Sequence, residues 1–166
     1  CTYYVYDNTG NLRLVIPPKA TEYLAANSWS FGTSDFYSSS VAKELCFAYG
    51  YDARKRTSIK KVPGAGEVYM IYDNRDRLVL TQDSMLRASG KWMYTAYDNL
   101  NRPVTSGLWN NTSSRSYHRE QAWNSSSYPS LSGTWEELST TFYDDYSWRS
   151  SYGNPLSATY NTAHNS

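Results

Sequence analysis

Catalysis in a chain of this size would have to come from histidines, thiols, clustered carboxylates or an activated serine. His118 and His164 are the only histidines. Both stand in polar, Ser- and Asn-rich sequence, which predicts solvated rings rather than a general acid or base. Serine is abundant, but no Gly-x-Ser-x-Gly turn is present to expose one as a nucleophile. Glu136-Glu137 and Asp144-Asp145 are sequence neighbours. Adjacent residues on a strand point to opposite faces, so neither pair is set up for acid–base work. Cys1 and Cys46 are the only cysteines and have no CxxC spacing. They leave two states open: free thiols, which their small number favours, or a single bridge. No cluster has metal-ligand spacing, and no cofactor is expected. Gly64-Ala65-Gly66 echoes a phosphate loop only faintly. With Pro63 before it and strand-like sequence on both sides, it predicts a hairpin turn. Arg54-Lys55-Arg56 with Lys60-Lys61 predicts a solvated turn and strand face. These residues together point away from an enzyme.

Composition narrows the classes further. The 166 residues suffice for one domain. With 16 basic and 15 acidic residues, the formal charge is +1, which gives no electrostatic case for nucleic acid or an anionic membrane. No run of about 18 apolar residues is present to span a bilayer. The chain carries 17 Tyr and 6 Trp against only 4 Phe. Tyr and Trp are amphipathic and suit half-buried pleated surfaces. The composition therefore predicts a β-rich protein.

The elements that must position these residues are repeats. Tyr-Asp recurs at Tyr6-Asp7, Tyr51-Asp52, Tyr72-Asp73, Tyr97-Asp98 and Tyr143-Asp144. The first four each follow an apolar run and lead through two variable residues to a Gly-like position, a polar residue and a second strand-forming run. The physics of that unit is a hairpin. The Asp carboxylate starts a type I turn by accepting backbone N–H groups. The Gly-like position (Gly10, Lys55, Asp76, Asn101) should be left-handed and close a bulge. In this register Asp52 faces Arg56, Asp73 faces Arg77 and Asp98 faces Arg102, while Asp7 meets the neutral Asn11. One position further along, Tyr6 faces Leu12, Tyr72 faces Leu78 and Tyr97 faces Pro103.

The expected fold is mainly β: an antiparallel meander of these hairpins, with one or two short helices inserted. Residues 1–108 form the hairpin tract, with about six continuous strands over 47–108 and short helices near 19–26 and 41–46. Pro17-Pro18 should end the second strand. Residues 83–90 should link strands 78–82 and 91–97. Residues 109–135 are rich in Ser and Asn and predict a polar loop or insertion. Residues 136–166 predict a degenerate repeat, with a strand over 140–143, and a truncated tail.

The runs Tyr4-Val5-Tyr6-Asp7 through Pro17-Pro18-Lys19-Ala20, Leu45-Cys46-Phe47-Ala48-Tyr49-Gly50-Tyr51-Asp52 on to Gly66, Ile71-Tyr72-Asp73 through Thr81-Gln82-Asp83, and Tyr97 to Pro103 resemble the Rhs/YD-repeat family. The resemblance covers 1–108 well and 139–146 thinly. Members are large secreted or surface proteins, mostly bacterial, whose hairpin strips spiral into a hollow shell. In toxin-type members the shell encloses a C-terminal effector, and animal relatives use a similar shell in adhesion. The resemblance implies a structural strip of such a wall, partnered by other repeats of the same parent and by an enclosed effector. It implies a secreted or cell-surface location, with the signal outside this stretch. The self-cleaving core signature of the family is not visible, so that activity is not carried over. The repeat Gly is kept only at Gly10, and Arg is absent at Asn11. The alternative is a glycan- or cell-wall-binding module built on Trp109, Trp123, Trp135 and Trp148. Burial of those rings supports the wall, and a coplanar exposed row supports binding. A strip also has unpaired edges, so it should self-pair or cover an edge with its helices or with 110–134.

Overall fold

A computed structural model describes residues 1–33 and 39–143 of the chain. Its nine strands make one antiparallel sheet in sequence order, a meander without a crossover. The strands are β1 (Tyr3–Tyr6), β2 (Leu12–Ile16), β3 (Phe47–Tyr51), β4 (Thr57–Lys61), β5 (Val68–Tyr72), β6 (Leu78–Gln82), β7 (Lys91–Tyr97), β8 (Pro103–Asn110) and β9 (Trp135–Thr140). The mainly β meander read from the repeats is therefore the fold. Strands β3 to β8 are the six expected over 47–108.

Four helices, not one or two, lie among the described residues: α1 (Pro18–Ala26), α2 (Ser40–Leu45), α3 (Ser84–Ala88) and α4 (Arg115–Asn124). Pro18 occupies the first turn of α1, where its missing N–H costs nothing, so the proline pair both ends β2 and starts the helix. Asp83 caps α3 by accepting the Leu86 N–H at 2.8 Å, so the 83–90 link is partly helical. Residues 109–135 are not a loop throughout. Trp109 and Asn110 complete β8, and Ser114 accepts the Tyr117 N–H at 3.2 Å to open α4. The last described strand is Trp135–Thr140 rather than 140–143.

Two cores lie against the sheet. Leu14, Ile16 and Ala48 pack with Ala20 and Leu24 of α1, Val41 of α2 and Cys46. Ile71, Val79, Leu80, Trp92, Tyr94 and Trp109 pack with Ala122 of α4. Along β7, Trp92 and Tyr94 are buried while Met93 between them is exposed, the period-2 alternation of a half-covered sheet. Gly107 stands opposite Tyr94, and a Cβ there would lie 2.8 Å from the Tyr94 ring and 2.0 Å from the Glu136 carbonyl oxygen, so only glycine fits. Helix α4 crosses over β5, an interior strand, and covers a face rather than an edge. The edges are β1, exposed along its whole length, and β9, exposed up to Thr140.

Candidate functional site

Four of the five Tyr-Asp units form the turns expected, and the fifth runs beyond the described residues. Each Asp N–H donates to the carbonyl four residues on, and the N–H three residues on returns to the Asp carbonyl, at 2.9–3.2 Å. The Asp carboxylate then accepts two further N–H groups, two and four residues on: Thr9 and Asn11, Arg54 and Arg56, Arg75 and Arg77, Leu100 and Arg102. Gly10, Lys55, Asp76 and Asn101 all have positive φ, between 61° and 82°. Tyr6 faces Leu12, Tyr72 faces Leu78 and Tyr97 faces Pro103, as read from the register, and Tyr51 faces Thr57 in the same way. Beyond each of these pairs the returning strand carries one extra residue: Arg13, Ser58, Val79 or Val104. This second bulge was not legible in the sequence. It turns Ser58 and Val79 inward, and both are buried.

Arg56, Arg77 and Arg102 grip Asp52, Asp73 and Asp98 at 2.6, 2.6 and 2.7 Å. Burial differs along the series. Asp73 is fully buried and the Arg77 side chain is 9% exposed, whereas Asp98 and Arg102 are partly solvated. The Asn11 amide takes the place of arginine on Asp7, at 3.0 and 3.3 Å. That amide, with the Asn11 and Thr9 N–H groups, holds the Asp7 carboxyl well below the usual carboxylate range. Burial pushes Asp52 up, but the side-chain and backbone N–H groups of Arg56 outweigh it and its pKa is lowered. The Arg102 backbone N–H leads a similar lowering at Asp98.

The tyrosines supply what a local reading misses: they tie each hairpin to the one before. Tyr51 Oη donates to Leu12 O at 2.9 Å, Tyr72 to Thr57 O at 3.1 Å, Tyr97 to Leu78 O at 2.9 Å and Tyr143 to Pro103 O at 3.0 Å. The acceptor is always the residue after the turn's Arg or Asn. That arginine lies over the same tyrosine ring: Arg56 over Tyr72 at 4.6 Å, Arg77 over Tyr97 at 4.9 Å, Arg102 over Tyr143 at 4.3 Å. The arginines also reach the next turn. Arg56 donates to Asp73 O and Asp76 Oδ1, and Arg77 to Asn101 Oδ1. Asp and Asn at the left-handed position thus tolerate positive φ and accept a neighbour's guanidinium, which glycine cannot do. One hydrogen bond at about 0.5–1.5 kcal/mol and one cation–π contact at about 0.5–2 kcal/mol make each junction worth roughly 1–3 kcal/mol. Tyr143 keeps the lock across 46 residues of chain from Tyr97, although it lies outside the described strands. Tyr6 has no preceding described hairpin and is 58% exposed. Asp144, Asp145, Trp148 and His164 lie outside the described residues.

Several expectations about single residues change. His118 is not solvated: it is fully buried on α4, and burial pushes its pKa down to about 4. Lys61 is not on a solvated face. It is buried, and its Nζ donates to Ala42 O at 3.1 Å and to Lys43 O, capping the C-terminal carbonyls of α2. Arg54 and Arg56 are engaged by Asp76 and Asp52. The Gly64 turn is a hairpin connection whose N–H donates to Lys43 O. Cys46 is buried and Cys1 exposed, and both thiols are free. The three described tryptophans named for glycan binding, Trp109, Trp123 and Trp135, form no common row. Trp109 is 3% exposed and its indole N–H donates to Ser132 O at 2.8 Å. Trp123 on α4 carries the Arg54 guanidinium 4.4 Å over its ring and lines a cleft of about 580 Å³ beside β3 to β5. Trp135, on the edge strand β9, meets Tyr94 edge-on at 6.4 Å. Among the described residues no three His, Cys, Asp or Glu side chains are grouped to hold a metal ion.

No protein-family model matches the chain, and no curated protein matches it. Among solved structures it is similar to the crystal structure of TcdB2-TccC3-TEV, at 20% identity and a TM-score of 0.46. The match covers 66% of this chain and 4% of that one, so the chain spans a small fraction of that protein's length.

Proposed function

We propose that this chain is a structural, non-catalytic strip of a β-sheet wall of the Rhs/YD-repeat kind, in a secreted or surface protein where it encloses or displays another part of the chain. One observation carries the reading: each hairpin is locked to its predecessor by the same Tyr Oη–carbonyl bond, with a guanidinium over the ring at three of the four junctions. Such a lock fixes register between units that have no stability alone, as a stacked repeat requires. The carboxylates of three of the turns are paired with the same arginines. The partners of the wall are further repeats of the same parent along β1 and β9 and the segment that the wall surrounds.

Hydrogen exchange at those edges tests the reading. In a parent chain that continues the wall, the outward amides of β1 and β9 are protected; in the 166-residue chain, kept dilute enough to stay monomeric, they exchange fast. Equal exchange in both would sink the wall. A polysaccharide screen read by tryptophan fluorescence addresses the alternative. A saturable change with one sugar class, abolished by Trp123→Ala, would move the assignment to glycan binding at the α4 cleft.

A further inference from the structure

Helix α4 buries only two side chains, His118 and Ala122. The larger of the two is an imidazole. That ring sits in a box of aromatic groups drawn from β7, β8, α4 itself and the segment that follows it. Trp92 of β7 lies 4.7 Å away between ring centroids, Trp109 of β8 5.5 Å, Tyr117 of α4 5.6 Å, and Tyr128 of the 125–134 segment 6.2 Å. His118 Nδ1 and Tyr128 Oη are 2.5 Å apart. Nε2 meets no hydrogen-bond partner among the described residues. The charged side chains of α4 are engaged or directed elsewhere. Arg115 donates to Ser58 Oγ and stands over the Tyr69 ring, and Arg119 and Glu120 line the cleft on the Trp123 side. Burial alone moves the His118 titration, with no carboxylate near enough to offset it.

We propose that His118 is an acid-operated latch: protonation of its ring frees α4 from the sheet and uncovers Trp92 and Trp109. The neutral ring has one N–H and one lone pair: Nδ1 meets Tyr128, and Nε2 meets only the aromatic box. The imidazolium adds a second N–H and a full charge, with no acceptor at Nε2 and no counter-charge in the box. Tyr128 does not help by ionising, because burial raises its own pKa. The sign follows from the folded value lying below the free one. The neutral latch is intact above the free value of 6.5, weakens as the pH falls, and is fully lost below about 4. At tenfold per pH unit, that separation shifts the closed-to-open ratio of α4 by about 300-fold. The inference does not depend on the wall reading, since it concerns only the cover of one sheet face.

Amide hydrogen exchange on the 166-residue chain, at pH 7 and pH 4 and corrected for intrinsic rates, reads the latch directly. The α4 amides are expected to lose protection on the order of 100-fold by pH 4, while those of β3 and β4 hold. His118→Phe keeps an aromatic ring in the box without a titrating group and must preserve α4 protection across the range. If that variant does not fold, the ring-proton NMR titration of His118 in a His164→Ala background decides, and it must titrate well below 6.5. Unchanged α4 protection at pH 4, the same acid profile in His118→Phe, or a His118 titration near 6.5 would each overturn the latch.

Discussion

Asp73→Asn is the sharpest probe of the hairpin lock. Asparagine keeps an Oδ1 that can accept the Arg75 and Arg77 backbone N–H groups at 2.9 and 3.0 Å, so the turn survives. What it removes is the charge facing Arg77 Nε at 2.8 Å and Nη2 at 2.6 Å. Arg77 is then left buried with neutral acceptors only: Asn101 Oδ1 at 3.0 Å and Ser126 O at 2.6 Å. Breaking a buried ion pair by removing one partner costs about 3–5 kcal/mol. For a chain of this length that lowers the melting temperature by about 6–20 °C. Urea unfolding followed by tryptophan fluorescence measures the loss, with Asp7→Asn as the control. The Asp7 carboxylate is solvated and faces the neutral Asn11, so its variant should shift the midpoint far less. Asp73→Asn/Arg77→Met should recover most of the loss, because it leaves no unpaired buried charge. Equal effects of Asp73→Asn and Asp7→Asn, or no recovery in the double variant, would refute the argument that burial of the pair sets its worth.

Tyr97→Phe removes the bond to Leu78 O and should cost about 0.5–1.5 kcal/mol in the same urea assay, whereas Tyr6→Phe, with no carbonyl to meet, should cost nothing measurable. The Asp52 pKa is lowered on folding, so its contribution is complete above the ordinary carboxylate value and is lost only as the pH falls through the depressed one. NMR titration of the side-chain carboxyl checks this, and an Asp52 titration at or above an ordinary aspartate would contradict it. The unprotected edges β1 and β9 should make the chain self-associate with rising concentration. A light-scattering mass that stays monomeric, with fast exchange of edge amides, would count against that pairing.

Much of the fold is legible because the decisive interactions are short in sequence. An aspartate that accepts N–H groups two and four residues on, and an arginine four residues on, writes its hairpin within one window. Strands β6 and β7 accordingly begin and end where their runs do, at Leu78–Gln82 and Lys91–Tyr97. Helix α4 escapes such a reading. Its sequence is polar, and the two residues it buries carry no apolar period to betray it. Lys61 and His118 mislead for a related reason: a basic or polar neighbourhood in sequence says nothing of which distant element closes over it.

The repeat residues alone determined the turns, their left-handed positions, the register and the meander, since each follows from chain sterics and hydrogen bonds within five residues. Only the tertiary structure decided what those turns are for one another. The Tyr51 hydroxyl finds Leu12 O 39 residues away, Arg77 reaches Ser126 O 49 residues away, and a histidine becomes a buried, uncharged ring between two tryptophans. Such contacts form when the whole sheet has brought its strands side by side, so no local window of the chain contains them.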